Sequence, residues 1–202
     1  MLEQRSALAA VYRPGRFGAP EGPAGVAVFE RVGRSLVQVS GWRGAFDPAC
    51  RKLEMLLHCQ MPDSCRTAVS QGARSIFRVG PERLWLAGSG DDEMLQWLDA
   101  SALDPDAVVT EIGQSRTVVR VKGAGARELL NRGLPVDLDV AVFPADAFAQ
   151  SVIHHIPVLV HRVALEGDDG FDVYVTSDYA VSFWEWLTEA LQSFGGEITK
   201  PE

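Results

Sequence analysis

No two of the three cysteines, Cys50, Cys59 and Cys65, stand in a CxxC pair. A tetrahedral zinc site is assembled from close ligand pairs, and His58 beside Cys59 is not such a pair. The odd count, in a chain with no export signal, points to buried reduced thiols rather than a disulfide framework. Long apolar runs are missing too. Val118 to Val121 and Ile156 to Val160 are strand-length, far short of the roughly 20 residues that span a bilayer. The opening residues carry Glu3, Gln4 and Arg5 and run into Arg13-Pro14-Gly15, without the basic, apolar, small-residue order of a signal peptide, so a cytoplasmic location is expected. Basic clusters are also lacking: 27 acidic and 19 basic side chains, net charge −8, are mixed along the sequence. Nucleic-acid binding, which needs a concentrated positive patch, is disfavoured. Asp91-Asp92-Glu93 and the run Glu166 to Asp169 read as solvated turns.

Nucleotide signatures are absent. The glycine pairs Gly88/Gly90 and Gly123/Gly125 do not extend to GxGxxG, and there is no GxxxxGK[ST]. Gly123 is expected only to turn a strand into a helix. Ser40, Ser151 and Ser182 have no GxSxG elbow, so nucleophilic catalysis has no support. His154-His155 with His161 invites thoughts of zinc, but neighbours on an extended strand point to opposite faces, which argues against a shared site. Asp137 and Asp139 lie in Leu134-Pro135-Val136-Asp137-Leu138-Asp139, which reads as an ordered loop. No catalytic, cofactor-binding or metal-ligating residue is expected on this chain.

What is present suffices for folding. At 202 residues, 47% hydrophobic and 23% charged, the chain is long enough to remove roughly 70% of its unfolded surface from water without staples. Residues 1–25 read as an arm, because Pro14, Pro20 and Pro23 with Gly15, Gly18, Gly22 and Gly25 exclude a helix or a central strand. Tyr12, Arg13, Arg16 and Phe17 give this arm the aromatic and cationic character of an interface, although packing on its own core explains them nearly as well.

Val26 to Val32 and Ser35 to Val39 read as a paired hairpin. Asp47-Pro48 marks a helix start, Asp47 capping, with Cys50, Leu53, Leu56 and Leu57 at helical spacing and an end before Met61-Pro62. Strands at Ser75–Val79 and Arg83–Ala87 flank the Gly80-Pro81-Glu82 turn, and a helix follows from about Asp92 to Leu98. The order then repeats. Val108–Ile112 and Thr117–Val121 precede a helix at Ala126–Asn131. Strands at Ile156–Leu165 and Phe171–Val175 lead to a helix from about Tyr179 to Leu191. Arg34-Ser35-Leu36-Val37 aligns with Arg116-Thr117-Val118-Val119, each followed by Gly41 or Gly123. Leu84-Trp85-Leu86 aligns with Val173-Tyr174-Val175, and Trp97-Leu98 with Trp186-Leu187. The pattern predicts an α+β fold of duplicated ββα…ββα halves, antiparallel sheets backed by helices. Its parts are an arm (1–25), a first half (26–103) and a second half (104–202), joined at Asp104-Pro105-Asp106.

Trp and Arg are the usual anchors of protein interfaces. Trp42-Arg43, between Gly41 and Gly44, is exposed by its setting unless a partner covers it. Phe183 and Trp186 on the last helix read as core. The expected interface residues are therefore Arg13 and Phe17 in the arm and Trp42 and Arg43 in the turn.

The motifs Arg116-Thr117-Val118-Val119-Arg120-Val121-Lys122-Gly123, Leu129-Leu130, Leu134-Pro135-Val136-Asp137-Leu138 and Phe143-Pro144 come in an order that resembles the sarcosine oxidase gamma subunit family. The likeness continues through Ala149-Gln150, Val158-Leu159-Val160, Asp169-Gly170-Phe171-Asp172-Val173-Tyr174-Val175, Tyr179-Ala180 and Trp184-Glu185-Trp186-Leu187. Val37-Gln38-Val39-Ser40-Gly41-Trp42 and Phe77 to Leu86 look like the family as well, so it covers roughly residues 26–190. The resemblance implies a fold similar to the folate-binding aminomethyltransferases. It also implies a heterotetramer in which FAD, FMN, NAD and tetrahydrofolate sit in the alpha and beta subunits and gamma packs on alpha beside a small delta subunit. Such a complex oxidises sarcosine to glycine, forms hydrogen peroxide and passes the one-carbon unit to tetrahydrofolate. A gamma-like subunit of an N-methylglutamate dehydrogenase and a free-standing folate-binding protein are the alternatives.

Overall fold

The computed structural model describes residues 6–18, 24–42, 44–89, 98, 103, 105–165 and 169–202. In chain order its strands and helices begin with β1 (Gly15–Arg16), β2 (Ala27–Glu30), β3 (Arg34–Gly41) and α1 (Phe46–Leu57). β4 (Val69–Gln71), β5 (Arg74–Gly80), β6 (Arg83–Ser89), β7 (Ala107–Glu111) and β8 (Arg116–Lys122) come next. Then follow α2 (Ala126–Asn131), β9 (Phe148–Ile153), β10 (Ile156–Ala164), β11 (Asp169–Thr176), α3 (Ala180–Leu191) and β12 (Glu197–Ile198).

These elements form two compact units, one of Gly33–Gly113 and one of Met1–Val32 with Gln114–Glu202. The first holds a sheet ordered β4-β5-β6-β3-β7, and the second a sheet ordered β1-β12-β2-β8-β11-β10-β9. Pairing is antiparallel except between β12 and β2. In the Gly33–Gly113 unit, α1 lays Phe46, Ala49, Leu53 and Leu57 on Val37, Val39, Leu84 and Leu86 of the sheet. In the other unit, Val119 and Val121 of β8 and Phe171, Val173 and Val175 of β11 face the two helices. From α3 come Ala180, Phe183, Trp184, Leu187 and Leu191, whose spacing of three and four residues makes one buried stripe. Each such side chain contributes about 1.5–3 kcal/mol through its burial.

The antiparallel α+β expectation stands, and β5, β6, α2, β10 and β11 form where sequence places them. The expected hairpin of Val26–Val32 with Ser35–Val39 does not form. Instead β2 pairs with β8 and β12, while β3, past Gly33 at φ 61°, pairs with β6 and β7 of the other unit. The units consequently follow neither the 1–25, 26–103 and 104–202 boundaries nor the simple succession of halves: residues 27–30 join the later segment, and residues 107–111 the earlier one. Asp47 does not cap α1. The helix already begins at Phe46, with Ala45 at the N-cap, and Asp47 sits in the first turn, where a negative charge suits the helix dipole. The helix ends at Leu57, with left-handed His58 (φ 53°) as its C-cap, before Met61-Pro62 as expected. The expected helix at 92–98 and the acidic cluster 91–93 lie outside the described residues, Leu98 excepted.

Candidate interaction site

The arm is ordered where it is described, and specific groups pin it. Ser6 donates its hydroxyl to the Glu30 carboxylate, 2.7 Å from each oxygen, and Leu8 is fully buried. Tyr12 closes a turn through its N–H on the Leu8 carbonyl (2.8 Å) and stacks on Trp184 of α3, centroids 4.8 Å apart. The Tyr12 hydroxyl donates to the Thr199 carbonyl (2.8 Å) and accepts the Glu30 N–H (3.2 Å). Beyond Tyr12, β1 pairs with β12 and the Phe17 N–H reaches the Gly196 carbonyl at 2.8 Å. At Gly18 the arm crosses the end of α3 so closely that a Cβ would lie 1.9 Å from the Gln192 carbonyl oxygen, and φ is 83°. Only glycine fits there. Burial pushes the Glu30 carboxyl up from its ordinary pKa, against the Ser6 hydroxyl, which pulls it down. Burial also raises the Tyr12 phenol.

Between arm and α3 runs an open groove of about 460 Å³. Val11, Phe17, Trp184 and Ile198 make its apolar lining, and Glu185 and Glu189, one helical turn apart, stand on it together with Arg13. The Arg13 guanidinium folds back to donate to the Tyr12 carbonyl (2.8 Å) and the Ala10 carbonyl (3.0 Å). The structure thus brings Arg13 and Phe17 to one place, with Phe17 packed on the core and Arg13 exposed. Sequence reasoning missed the opposite wall. Trp184 was legible as an apolar helix residue, but the two glutamates look like any solvated helix face until the arm is laid beside them.

Trp42 belongs to the other unit. Its side chain is 65% exposed, yet its backbone is held at both ends, N–H to the Asp106 carbonyl (3.1 Å) and carbonyl to the Ala45 N–H (3.0 Å). Arg43 lies outside the described residues.

The other polar constellations singled out by the sequence lie apart from one another among the described residues. His154 and His155 are not strand residues but the two-residue turn of the β9–β10 hairpin, both left-handed at φ 46° and 70°, while His161 is buried on β10 with Nε2 3.5 Å from Asp146. No group of three potential metal ligands occurs among the described residues. Asp137 and Asp139 form turns that accept the N–H groups of Asp139 and Ala141, both at 2.9 Å. Gly123, at φ 116°, makes the strand-to-helix turn, where a Cβ would come 2.6 Å from the Gly25 carbonyl oxygen. Asp172, 3% exposed, is clamped by Arg120 through two bonds of 2.6 Å and by Arg31 at 3.3 Å. Asp169 bridges Arg127 (2.7 Å) and Arg162. Both acids thus accept charge-assisted hydrogen bonds from two arginines each. Burial lifts the Cys50 thiol to about 11, which suppresses the thiolate a nucleophile needs.

Residues 74–199 match the family model described as the GCVT N-terminal domain. An aminomethyltransferase of Bacillus cereus (strain B4264) is 30% identical over 117 residues, 56% of this chain and 31% of that enzyme. The chain thus spans about a third of the length of the curated relatives it matches. A chain of the heterotetrameric sarcosine oxidase of Corynebacterium sp. U-96 shares the fold at TM-score 0.77 and 19% identity, over 95% of this chain and 96% of that one. The glycine cleavage system aminomethyltransferase T of Bartonella henselae does so at TM-score 0.59 and 15% identity, over 92% of this chain and 52% of that one.

Proposed function

Since this chain belongs to the GCVT N-terminal domain family and has an aminomethyltransferase-like fold, we propose that it serves as a gamma-type subunit of a heterotetrameric sarcosine oxidase. Its role is assembly, and the oxidation chemistry belongs to larger partners. The observation that carries this reading is the contrast in fold likeness. The likeness takes in 96% of a sarcosine oxidase chain but only 52% of an aminomethyltransferase. Two further features support it: Asp172 and Asp169 are committed to arginine clamps, and Trp42 is held out on a fixed backbone.

The complex would demethylate sarcosine to glycine in the cytoplasm, with hydrogen peroxide formed and the one-carbon unit passed to tetrahydrofolate. FAD, FMN, NAD and the folate belong to the alpha and beta subunits in this reading, and alpha is the direct neighbour. The groove beside the arm does not suit a folate. Glu185 and Glu189 outnumber the single cation Arg13 on it, so an anionic glutamyl tail meets a net negative lining there.

Co-expression with the products of the neighbouring reading frames, followed by size-exclusion chromatography with light scattering and visible absorbance, tests the proposal. A colourless chain that enters a large yellow assembly turning over sarcosine is the expected result. Turnover of N-methylglutamate instead would assign the related dehydrogenase. A monomer that ignores these partners would favour a free-standing folate-binding protein.

A further inference from the structure

The arm–α3 groove has a chemistry that defines what fits it. Its lining is apolar, from Val11, Phe17, Trp184 and Ile198, and the open charge standing on it is negative, from Glu185 and Glu189. Arg13 keeps its positive charge but offsets only one of the two carboxylates, and its guanidinium is held by two backbone carbonyls of its own segment. Glu189 also stands in the last turn of α3, which holds no basic residue. Carboxylates near a helix C-terminus are unfavourably placed against its dipole, and a cation brought beside them relieves both that repulsion and their mutual one. The walls are fixed rather than adaptable: Trp184 is buried, Tyr12 is stacked on it, and the arm is anchored at Ser6, Tyr12, Phe17 and Gly18. A preformed site loses little entropy on binding.

From this charge complementarity we propose that the groove receives a segment of the large flavoprotein partner in which an arginine or lysine adjoins a bulky apolar side chain. The apolar group lies between Val11 and Phe17, over the small part of Trp184 that the groove reaches, and the cation meets Glu185 and Glu189. This rests on the subunit reading above and locates its contact on the arm side of the chain.

The test uses the full complex. Glu185→Lys/Glu189→Lys and the milder Glu185→Gln/Glu189→Gln are compared with the unaltered chain by titrating it against the partner complex in a surface-binding assay at low and high salt. Both glutamates are exposed, so thermal unfolding should match the parent and serve as the folding control. A photo-reactive benzoyl-phenylalanine at Val11 then identifies the neighbour by mass spectrometry. The expected results are an affinity loss of at least about tenfold for the lysine variant, a smaller loss for the glutamine variant, and a weaker salt dependence for both. The cross-link should fall on a partner segment containing a basic residue. Assembly by the unaltered chain with unchanged affinity in both variants would overturn the inference and leave the subunit reading standing. A cross-link to a second copy of this chain, or to a partner segment without a basic residue, would also overturn it. Failure of the unaltered chain to assemble at all would sink both.

Discussion

Replacing Tyr12 by Phe isolates what holds the arm in place. The ring keeps its stack on Trp184, but the hydroxyl leaves behind two backbone groups, the Glu30 N–H at 3.2 Å and the Thr199 carbonyl at 2.8 Å. An orphaned buried polar group costs about 1–3 kcal/mol, and in this half-buried setting the lower part of that range applies, so the pair sums to about 2–3 kcal/mol. At about 1.4 kcal/mol per tenfold, the equilibrium for arm opening rises roughly thirty- to a hundredfold. Native-state hydrogen exchange reads this directly. The amides of Val11, Tyr12 and Phe17, bonded to the Leu8 and Gly196 carbonyls, should lose protection by that factor. Those of β10 and β11 should change little, because local opening draws on contacts of its own. Unchanged arm protection in the variant would refute the anchoring role of the hydroxyl. An equal loss across β10 and β11 would show that the arm is not a separately opening segment.

Asp172→Ala strands the Arg120 and Arg31 guanidiniums and should destabilise the chain by about 3–5 kcal/mol in urea unfolding. Asp172→Leu with Arg120→Met should recover much of that loss, since it removes the two more buried charges together and leaves only Arg31, the more exposed of the two arginines. Glu30 carries a pH signature. Burial raises its folded pKa above the unfolded value of about 4.3, so its contribution is fully present below that value and is lost as pH rises through the folded pKa. The melting temperature of Glu30→Gln relative to the parent should therefore be more favourable at pH 8 than at pH 4, and a reversed trend in differential scanning fluorimetry would contradict the burial argument. Trp42→Ala should leave the melting temperature within about 2 °C while weakening assembly by about thirtyfold, the scale of a 2 kcal/mol hot spot. An unchanged affinity would remove Trp42 from the interface.

The element types were largely legible, because α3 and β11 announce themselves by period and by β-branched content. Partnership was not. Alternation marks β2 and β3 as strands but carries nothing about which edge each will meet, and their nearness in sequence suggested a hairpin where β2 instead meets β8 and β3 meets β6. β9 escaped notice because Gln150 and Ser151 interrupt its apolar residues. The turn after it is built from two left-handed histidines rather than the Asn-Gly or Asp-Gly that usually signals such a hairpin. At the groove, Arg13 and Phe17 were readable as interface-like residues on a glycine- and proline-rich arm. Their counterparts Glu185 and Glu189 were not, since a charge on a helix becomes part of a site only when another segment of chain is placed beside it.

The interleaving of the two units orders events during synthesis. β2 leaves the ribosome long before β8 and β12, the strands it pairs with, and the whole Gly33–Gly113 unit is made in between. That unit has all its strands in one stretch and can close as soon as β7 emerges. The early strand, with Val28 and Phe29, must meanwhile keep both edges unpaired, a nascent state open to wrong pairing. Translation paused before β8 should thus yield one finished unit trailing a sticky tether, and chaperone demand should peak there rather than at the end of the chain.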